Sequence, residues 1–161
     1  MDIIAEIVSA LGNRERPVLA TIISSSGSTP LPPGASMLVQ HGKIVQGTIG
    51  GGLLEASVMK EAEQFSVESA GSVIRRFELN ESDSEDGMIC GGTVEILLEQ
   101  IGEEELSLFS RLVALRDEGS DCTLVRITDV AHRVMKRTEL KGITNDVIKR
   151  PPLDGFLRTY E

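Results

Sequence analysis

The sequence predicts an α+β or α/β fold, with a mixed β-sheet and flanking helices in a single domain. Short apolar runs of strand length alternate with amphipathic segments whose apolar residues recur at helical spacing. The length of 161 residues is that of one domain. The chain has no Trp, one Tyr and four Phe, so an aliphatic core is expected.

The first helix is predicted at about residues 2–12, where apolar residues follow helical spacing and Gly12-Asn13 ends the pattern. The apolar run from Pro17 to Ser24 is typical of a strand buried on both faces. Strands are then predicted at 37–39 and 44–48, on either side of a hairpin turn at residues 40–43.

The rest of the chain continues the alternation, with boundaries set by glycines and polar runs. The predicted elements are a helix at 53–64, strands at 72–79 and 94–99, a helix at 103–118 and an antiparallel strand pair at 121–129 and 132–138. Residues 1–140 are expected to form the domain. Residues 141–161 change character and form a tail that packs on the core or on another subunit.

Composition excludes several functional classes. The net charge of −9 and the scarcity of aromatic residues argue against binding to nucleic acid or anionic membranes. No apolar run has the length of a membrane span, and the N-terminus lacks the basic residues of a signal peptide. Cys90 and Cys122 form no CxxC pair, which fits reduced thiols in a cytoplasmic protein.

The strongest local feature is a glycine corner at Gly50, Gly51 and Gly52, between a predicted strand and the helix at 53–64. Consecutive glycines lose extra conformational entropy when the chain folds. Such a run is typical of a corner where a ligand or another segment must approach the backbone closely. The first amides of a helix lack intrahelical partners and attract anions. The corner is therefore either a cradle for an anion or cofactor, or a tight turn that packs the helix on the sheet.

A second segment, residues 24–36, is rich in serine, proline and glycine. Its composition alone suggests a flexible linker, but three prolines stiffen it between two predicted core strands. A stiff loop rich in hydroxyls and amides suits a polar ligand. The alternative is a surface connection whose serines satisfy their own backbone.

A reduced form of the glycine corner recurs at Cys90-Gly91-Gly92. Small neighbours leave the Cys90 sulfur open as a nucleophile, a soft metal ligand or a persulfide carrier. The alternative is a small buried hydrophobe. Each corner has a glutamate three residues after its last glycine, Glu55 and Glu95, and either carboxylate can accept two parallel N–H donors.

Four motifs in order resemble the N-terminal domain of the XdhC/CoxI family: 26–30 (SGSTP), 33–37 (PGASM), 47–55 (GTIGGGLLE) and 87–95 (GMICGGTVE). The resemblance implies an accessory protein of molybdenum hydroxylases such as xanthine dehydrogenase and carbon monoxide dehydrogenase. Such a protein binds molybdenum cofactor (molybdopterin) transiently, supports its sulfuration and delivers it to the apoenzyme. It is a maturation factor and chaperone rather than an enzyme with a turnover of its own.

The resemblance and the motifs together define a predicted cofactor site where the proline-containing loop meets both glycine corners. Its members are Ser26, Gly27, Ser28, Thr29, Gly34, Gly50, Gly51, Gly52, Glu55, Cys90, Gly91, Gly92 and Glu95. Cys90 is the candidate thiol and the candidate contact to molybdenum or a persulfide. The expected partners are an apo molybdenum hydroxylase, a cysteine desulfurase or a separate Rossmann-domain subunit, and further copies of the chain in a homo-oligomer.

The sequence departs from the family in two ways. Some members carry a cysteine after the first glycine corner, where this chain has Leu53, and typical members continue into a C-terminal Rossmann-like domain. Two alternatives therefore remain open at this stage. One is a small enzyme that uses Cys90 as its nucleophile. The other is a non-catalytic subunit that docks with a separate Rossmann-domain protein.

Overall fold

The structure, a computed structural model, describes residues 2–65, 71–79 and 91–120, the backbone of three further strands and the side chain of Leu124. Within these residues the chain forms three helices and eight strands. The helices are α1 (Ile3–Gly12), α2 (Gly52–Ala62) and α3 (Leu106–Asp117), the last preceded by a 3-10 turn at Glu103–Glu105. The strands are β1 (Val18–Ser26), β2 (Ser36–Gln40), β3 (Lys43–Gly47), β4 (Ser72–Leu79), β5 (Gly92–Gln100), β6 (Cys122–Asp129), β7 (Val134–Gly142) and β8 (Gly155–Tyr160).

Five of these strands form one sheet in the order β3-β2-β1-β5-β4, and the other three form a second sheet in the order β7-β6-β8. Every described strand pair is antiparallel. Strand β1 lies at the centre of the larger sheet, with β2 on one side and β5 on the other. The two ends of β1 therefore mark the two ends of the larger sheet.

Two hydrophobic clusters cover the two faces of the larger sheet. On one face, α2 packs through Leu54 and Val58 on alternate residues of β1, β2 and β5, including Ala20 and Ile96. On the other face, α1 and α3 pack together through residues such as Ile7 and Phe109, over Leu19 and Leu38. The alternation of side chains along each strand assigns neighbouring residues to opposite clusters.

Local contacts fix the ends of the first and third helices. Asp2 caps α1 by accepting a hydrogen bond from the amide of Ile4 at 3.4 Å. Its carboxylate also pairs with the guanidinium of Arg116, near the end of α3. The cap and the ion pair together hold the two helices side by side over their shared apolar cluster.

The α+β class is confirmed, and the three predicted helices match the observed ones to within a few residues at each end. A mixed sheet was predicted, whereas every described pair of the larger sheet is antiparallel. That helix, α2, connects the two edge strands β3 and β4 across the sheet. These strands run in the same direction but are not neighbours, so no parallel pair forms.

The tail predicted at 141–161 contributes β8, which pairs with β6 from Cys122 opposite Tyr160 to Ile127 opposite Gly155. The division at residue 140 stays a prediction. The predicted turn at residues 130–131, between β6 and β7, lies outside the described residues. In the part of the chain that the structure describes, no helix is long and apolar enough to cross a lipid bilayer.

Candidate functional site

The loop between β1 and β2, residues 27–35, is bound back to β1. The amide of Gly34 donates to the carbonyl of Ile22 at 2.8 Å, and the amide of Ile22 donates to the carbonyl of Ala35 at 2.9 Å. The Ser36 hydroxyl adds bonds to the Gly34 carbonyl and the Thr21 hydroxyl, both at 3.1 Å. Gly34 therefore anchors a fixed loop, as expected for a stiff connection between two core strands.

The beginning of this loop is in backbone contact with the second glycine corner. A Cβ placed on Gly92 would lie 2.8 Å from the carbonyl oxygen of Ser26 and closer still to that of Ser28. A Cβ on Gly27, whose φ is 73°, would lie 2.8 Å from the carbonyl oxygen of Gly91. Two main chains meet here with no room for a side chain between them, which accounts for glycine at positions 27 and 92.

The middle of the loop is in contact with the first glycine corner. A Cβ on Gly50 would lie 2.7 Å from the Cβ of Pro30. The Gly50 φ of 122° is also a value that side chains rarely adopt. Thr29, next to this contact, has its hydroxyl 3.5 Å from the carbonyl of Leu31. The loop thus adjoins both glycine corners, and the three segments lie together at one end of the sheet.

Glu55 closes the first glycine corner from inside. Its Oε1 accepts hydrogen bonds from the Thr48 hydroxyl at 2.5 Å and from the amides of Ile49 and Gly51 at 3.0 Å each. The Thr48 hydroxyl oxygen in turn accepts from the amide of Gly50 at 3.1 Å. One carboxylate oxygen therefore takes up the inward-facing donors of the corner, a role that a bound anion would otherwise fill.

These bonds set the charge state of Glu55. Partial burial alone would raise the pKa of this carboxyl, but hydrogen bonds from Thr48, Ile49, Gly51 and Gly50 together hold it below its ordinary value. Glu55 is therefore ionised at neutral pH. Its Oε1 is committed to the corner, which leaves Oε2 as the atom with which Glu55 could meet a ligand.

Glu95 lies on the other face of the sheet from α2. Its neighbours in β5, Val94 and Ile96, are buried against that helix, so alternation puts the half-buried Glu95 on the opposite face. There it is directly opposite the exposed Arg76 of β4 and opposite Ser24 of β1. The structure therefore does not bring the two predicted glutamates together, although both follow a glycine corner at the same spacing.

Three glycines of the corners have no close neighbour among the described residues. Cβ atoms placed on Gly51, Gly52 and Gly91 meet no described atom within 4 Å. Gly91 also lacks a positive φ, so neither packing nor backbone conformation within the described residues requires a glycine there. At the start of α2 no side chain caps the helix, and the adjacent Leu53 is 57% exposed. Among the described residues, nothing covers these positions.

Cys90 lies outside the described residues, and so does the acidic segment at 80–87. Among the side chains that the structure describes, no group of three or more His, Cys, Asp and Glu residues is placed to hold a metal ion. The predicted roles of Cys90 as a thiol and as a molybdenum contact therefore stay predictions.

Three residues of this region were not named as site residues from the sequence. Thr48 and Pro30 lie within the quoted motifs, but their contacts with Glu55 and Gly50 were not predicted. Arg76 belongs to a strand with partial alternation, and only the β4–β5 register places it opposite Glu95. A signal was available for Thr48, since a hydroxyl seven residues before a first-turn glutamate can reach across a short corner.

Comparisons with known proteins give a partial family match and a likeness to solved structures. The model of the XdhC and CoxI family matches residues 10–78. The match covers the proline-containing loop and the first glycine corner, and it ends before Cys90. No curated protein matches the chain.

A crystal structure described as a xanthine dehydrogenase from Bacillus halodurans has a TM-score of 0.78 to this chain at 22% identity. The alignment covers 99% of this chain and 53% of that one, so the chain spans about half of that protein's length. At this identity the likeness shows a shared fold. The predicted resemblance is confirmed over residues 10–78, which match the model of the XdhC and CoxI family.

Proposed function

We propose that the chain is an accessory protein of a molybdenum hydroxylase and that it holds molybdenum cofactor beside its glycine corners. The observation that carries the proposal is the contact of one fixed loop with both corners, through Pro30 at Gly50 and through residues 27–28 at residues 91–92. The family match over residues 10–78 supplies the class of ligand.

The residues at the site suit a ligand with an anionic end and a donor-rich edge. The uncapped start of α2 offers amides at the positive end of a helix dipole, which favours a phosphate. Oε2 of Glu55, which has no hydrogen bond to a described residue, can accept an N–H donor of the ligand, whereas Glu95 lies on the opposite face of the sheet and is not assigned to this contact. When bound, the cofactor supplies the molybdenum chemistry of the hydroxylase, and this chain binds and orients it.

The support for sulfuration comes from sequence alone. Cys90 directly precedes Gly91, whose Cβ position is open. We assign the thiol of Cys90 to the sulfuration step, with a cysteine desulfurase as the sulfur source and the apo hydroxylase as the recipient. The alternative in which Cys90 is the nucleophile of a small enzyme predicts a turnover without any cofactor.

The test is to purify the chain from a host fed with molybdate. Bound pterin is measured by fluorescence after oxidation, and molybdenum by elemental analysis of the same sample. We expect pterin and molybdenum in similar molar amounts. If neither co-purifies under saturating supply, the proposal is wrong.

A matched pair of variants tests the location. Gly91→Leu fills the open space beside the second corner, whereas Gly12→Leu fills equally open space at the end of α1, away from the site. We expect Gly91→Leu to lower the amount of bound pterin at least tenfold with little change in the unfolding midpoint. We expect Gly12→Leu to change neither the bound pterin nor the unfolding midpoint. Equal pterin in both variants would place the cofactor elsewhere.

A further inference from the structure

A second candidate binding site lies at the opposite end of the sheet from the glycine corners. It is a cavity of about 470 Å³ between the segment that precedes β1, the β2–β3 turn and the end of α2. Val18, at one end of β1, lines it, whereas Ser26 at the other end contacts Gly92. Eight residues of strand separate the two sites by about 26 Å. We call this cavity the sheet-end pocket.

The sheet-end pocket has an apolar floor. Val18, Val39 and Ala62 present side chains that are otherwise enclosed by the core, with exposed fractions of 3–6%, and the half-buried ring of Phe65 forms a wall. A cavity of 300–1,000 Å³ with an apolar lining and a few polar groups is typical of sites for small organic molecules. A planar ligand could lie against Phe65 and the two valines.

The polar rim of the pocket is already partly organised. The two carboxylate oxygens of Glu15 accept hydrogen bonds from the Gln40 amide and from Nε2 of His41, the latter at 3.2 Å. This arrangement fixes Glu15 and turns its charge towards the β2–β3 turn. It thereby reduces the repulsion that Glu15 would exert on an anionic ligand.

Arg14 is the cation best placed to meet such a ligand. It lines the pocket, is exposed, and forms no side-chain ion pair with any described residue. Arg14 and His41, with φ values of 62° and 51°, are the non-glycine residues with positive φ in the described chain, and both line this pocket. Unusual backbone conformations of this kind cluster at ligand sites.

We propose that the sheet-end pocket binds a purine nucleoside monophosphate, with the planar base on the floor at Phe65 and Val39 and the phosphate paired with Arg14. A guanidinium fork matches two phosphate oxygens, and Arg16 lines the same rim. Glu15 and Glu63 also line the pocket, and Glu15 is bonded to Gln40 and His41, so the phosphate contact is assigned to Arg14. This site is separate from the glycine corners and does not depend on the function proposed for them.

The test uses the full chain and three probes: GMP, guanosine and inorganic phosphate. Binding is measured by calorimetry, and the site is mapped by changes in backbone amide resonances. We expect GMP to bind at least tenfold more tightly than either partial probe, because only GMP has both the base and the phosphate. We expect it to move the resonances of Val39 and Gly42 and to leave those of Gly50–Gly52 in place.

Variants separate the phosphate contact from a general effect of charge. Arg14→Gln should weaken GMP binding at least tenfold and leave guanosine binding unchanged. Arg14→Gly should do the same while accommodating the left-handed backbone. Arg111→Gln, which removes an exposed arginine of α3, is the control and should change neither.

Each other result overturns the proposal. Inorganic phosphate that binds as tightly as GMP indicates an adventitious anion only, and guanosine that binds as tightly shows that the phosphate is not recognised. GMP affinity that survives both Arg14 variants rules out the assigned contact. The absence of resonance changes at millimolar GMP rules out the site.

Discussion

The hydrogen bonds of Glu55 lead to a quantitative prediction about stability. Three donors, the Thr48 hydroxyl and the amides of Ile49 and Gly51, meet at its Oε1 at 2.5–3.0 Å. Fully buried bonds to a charged acceptor contribute about 1.5–3 kcal/mol each. Glu55 is only partly buried, so solvent screening lowers the sum. We expect Glu55→Ala to lower the free energy of unfolding by about 2 kcal/mol, and Glu55→Gln by about 1 kcal/mol.

The dependence on pH follows from the direction of the pKa shift. The pKa of Glu55 in the folded chain lies below its ordinary value of 4.5, so folding favours the ionised form. The stabilisation is therefore complete above the ordinary pKa and is lost as the pH falls through the lowered folded-state pKa. The difference in free energy of unfolding between the wild-type chain and Glu55→Gln should accordingly shrink in acid.

The assay is urea unfolding of both proteins at about pH 7, where the carboxyl is ionised, and at a series of lower pH values that continues below the lowered folded-state pKa. With an m-value of about 2 kcal/mol per molar urea, a loss of 1 kcal/mol moves the midpoint by about 0.5 M. Glu63→Gln, at the exposed C-terminal end of the same helix, is the matched control and should move it little. The reasoning is refuted if Glu55→Gln has the wild-type midpoint at neutral pH, or if the difference persists unchanged in acid.

Three further predictions concern stability at other positions. Gly92→Ala should destabilise the chain by about 2–3 kcal/mol, because the new Cβ overlaps the carbonyls of Ser26 and Ser28, whereas Gly91→Ala should change the urea midpoint little. Phe109→Ala should cost about 3–5 kcal/mol by thermal or urea unfolding, since the ring is fully enclosed between α1 and α3. Arg75→Gln removes a half-exposed ion pair with Glu61 and should cost less than about 1 kcal/mol in the same assay, with a smaller effect in high salt.

The fold class and most elements could be predicted from sequence, because local patterns decide them. Ile3, Ile7 and Leu11 fix the helical face of α1, and the Pro17–Ser24 run reads as a central strand that the structure extends to Ser26. The order of the strands could not be predicted in the same way. Sheet order depends on which distant strands pair, and nothing local in β1 indicates that β5 is its neighbour.

At the candidate site, too, the sequence predicted the local segments but not all of the contacts between them. The sequence singled out the loop at 26–37 and both glycine corners, and the structure places these segments in contact wherever it describes them. The structure separates the two glutamates that share this spacing. Glu55 follows its corner inside a helix, where it turns back on the amides, whereas Glu95 follows its corner inside a strand. The same spacing therefore directs the two carboxylates differently, because side chains project in different directions from a helix and from a strand.

The first glycine corner now has a more specific meaning than an open anion cradle. Its inner donors are already satisfied by the chain's own carboxylate, which makes the corner rigid before any ligand arrives. A ligand would therefore meet the outward amides at the start of α2 and the free oxygen of Glu55, rather than the centre of the corner. Gly50 and Gly92 are glycines because of the loop that contacts them, but Gly91 has no such reason among the described residues. Packing explains the first two glycines, and the role of Gly91 stays a prediction.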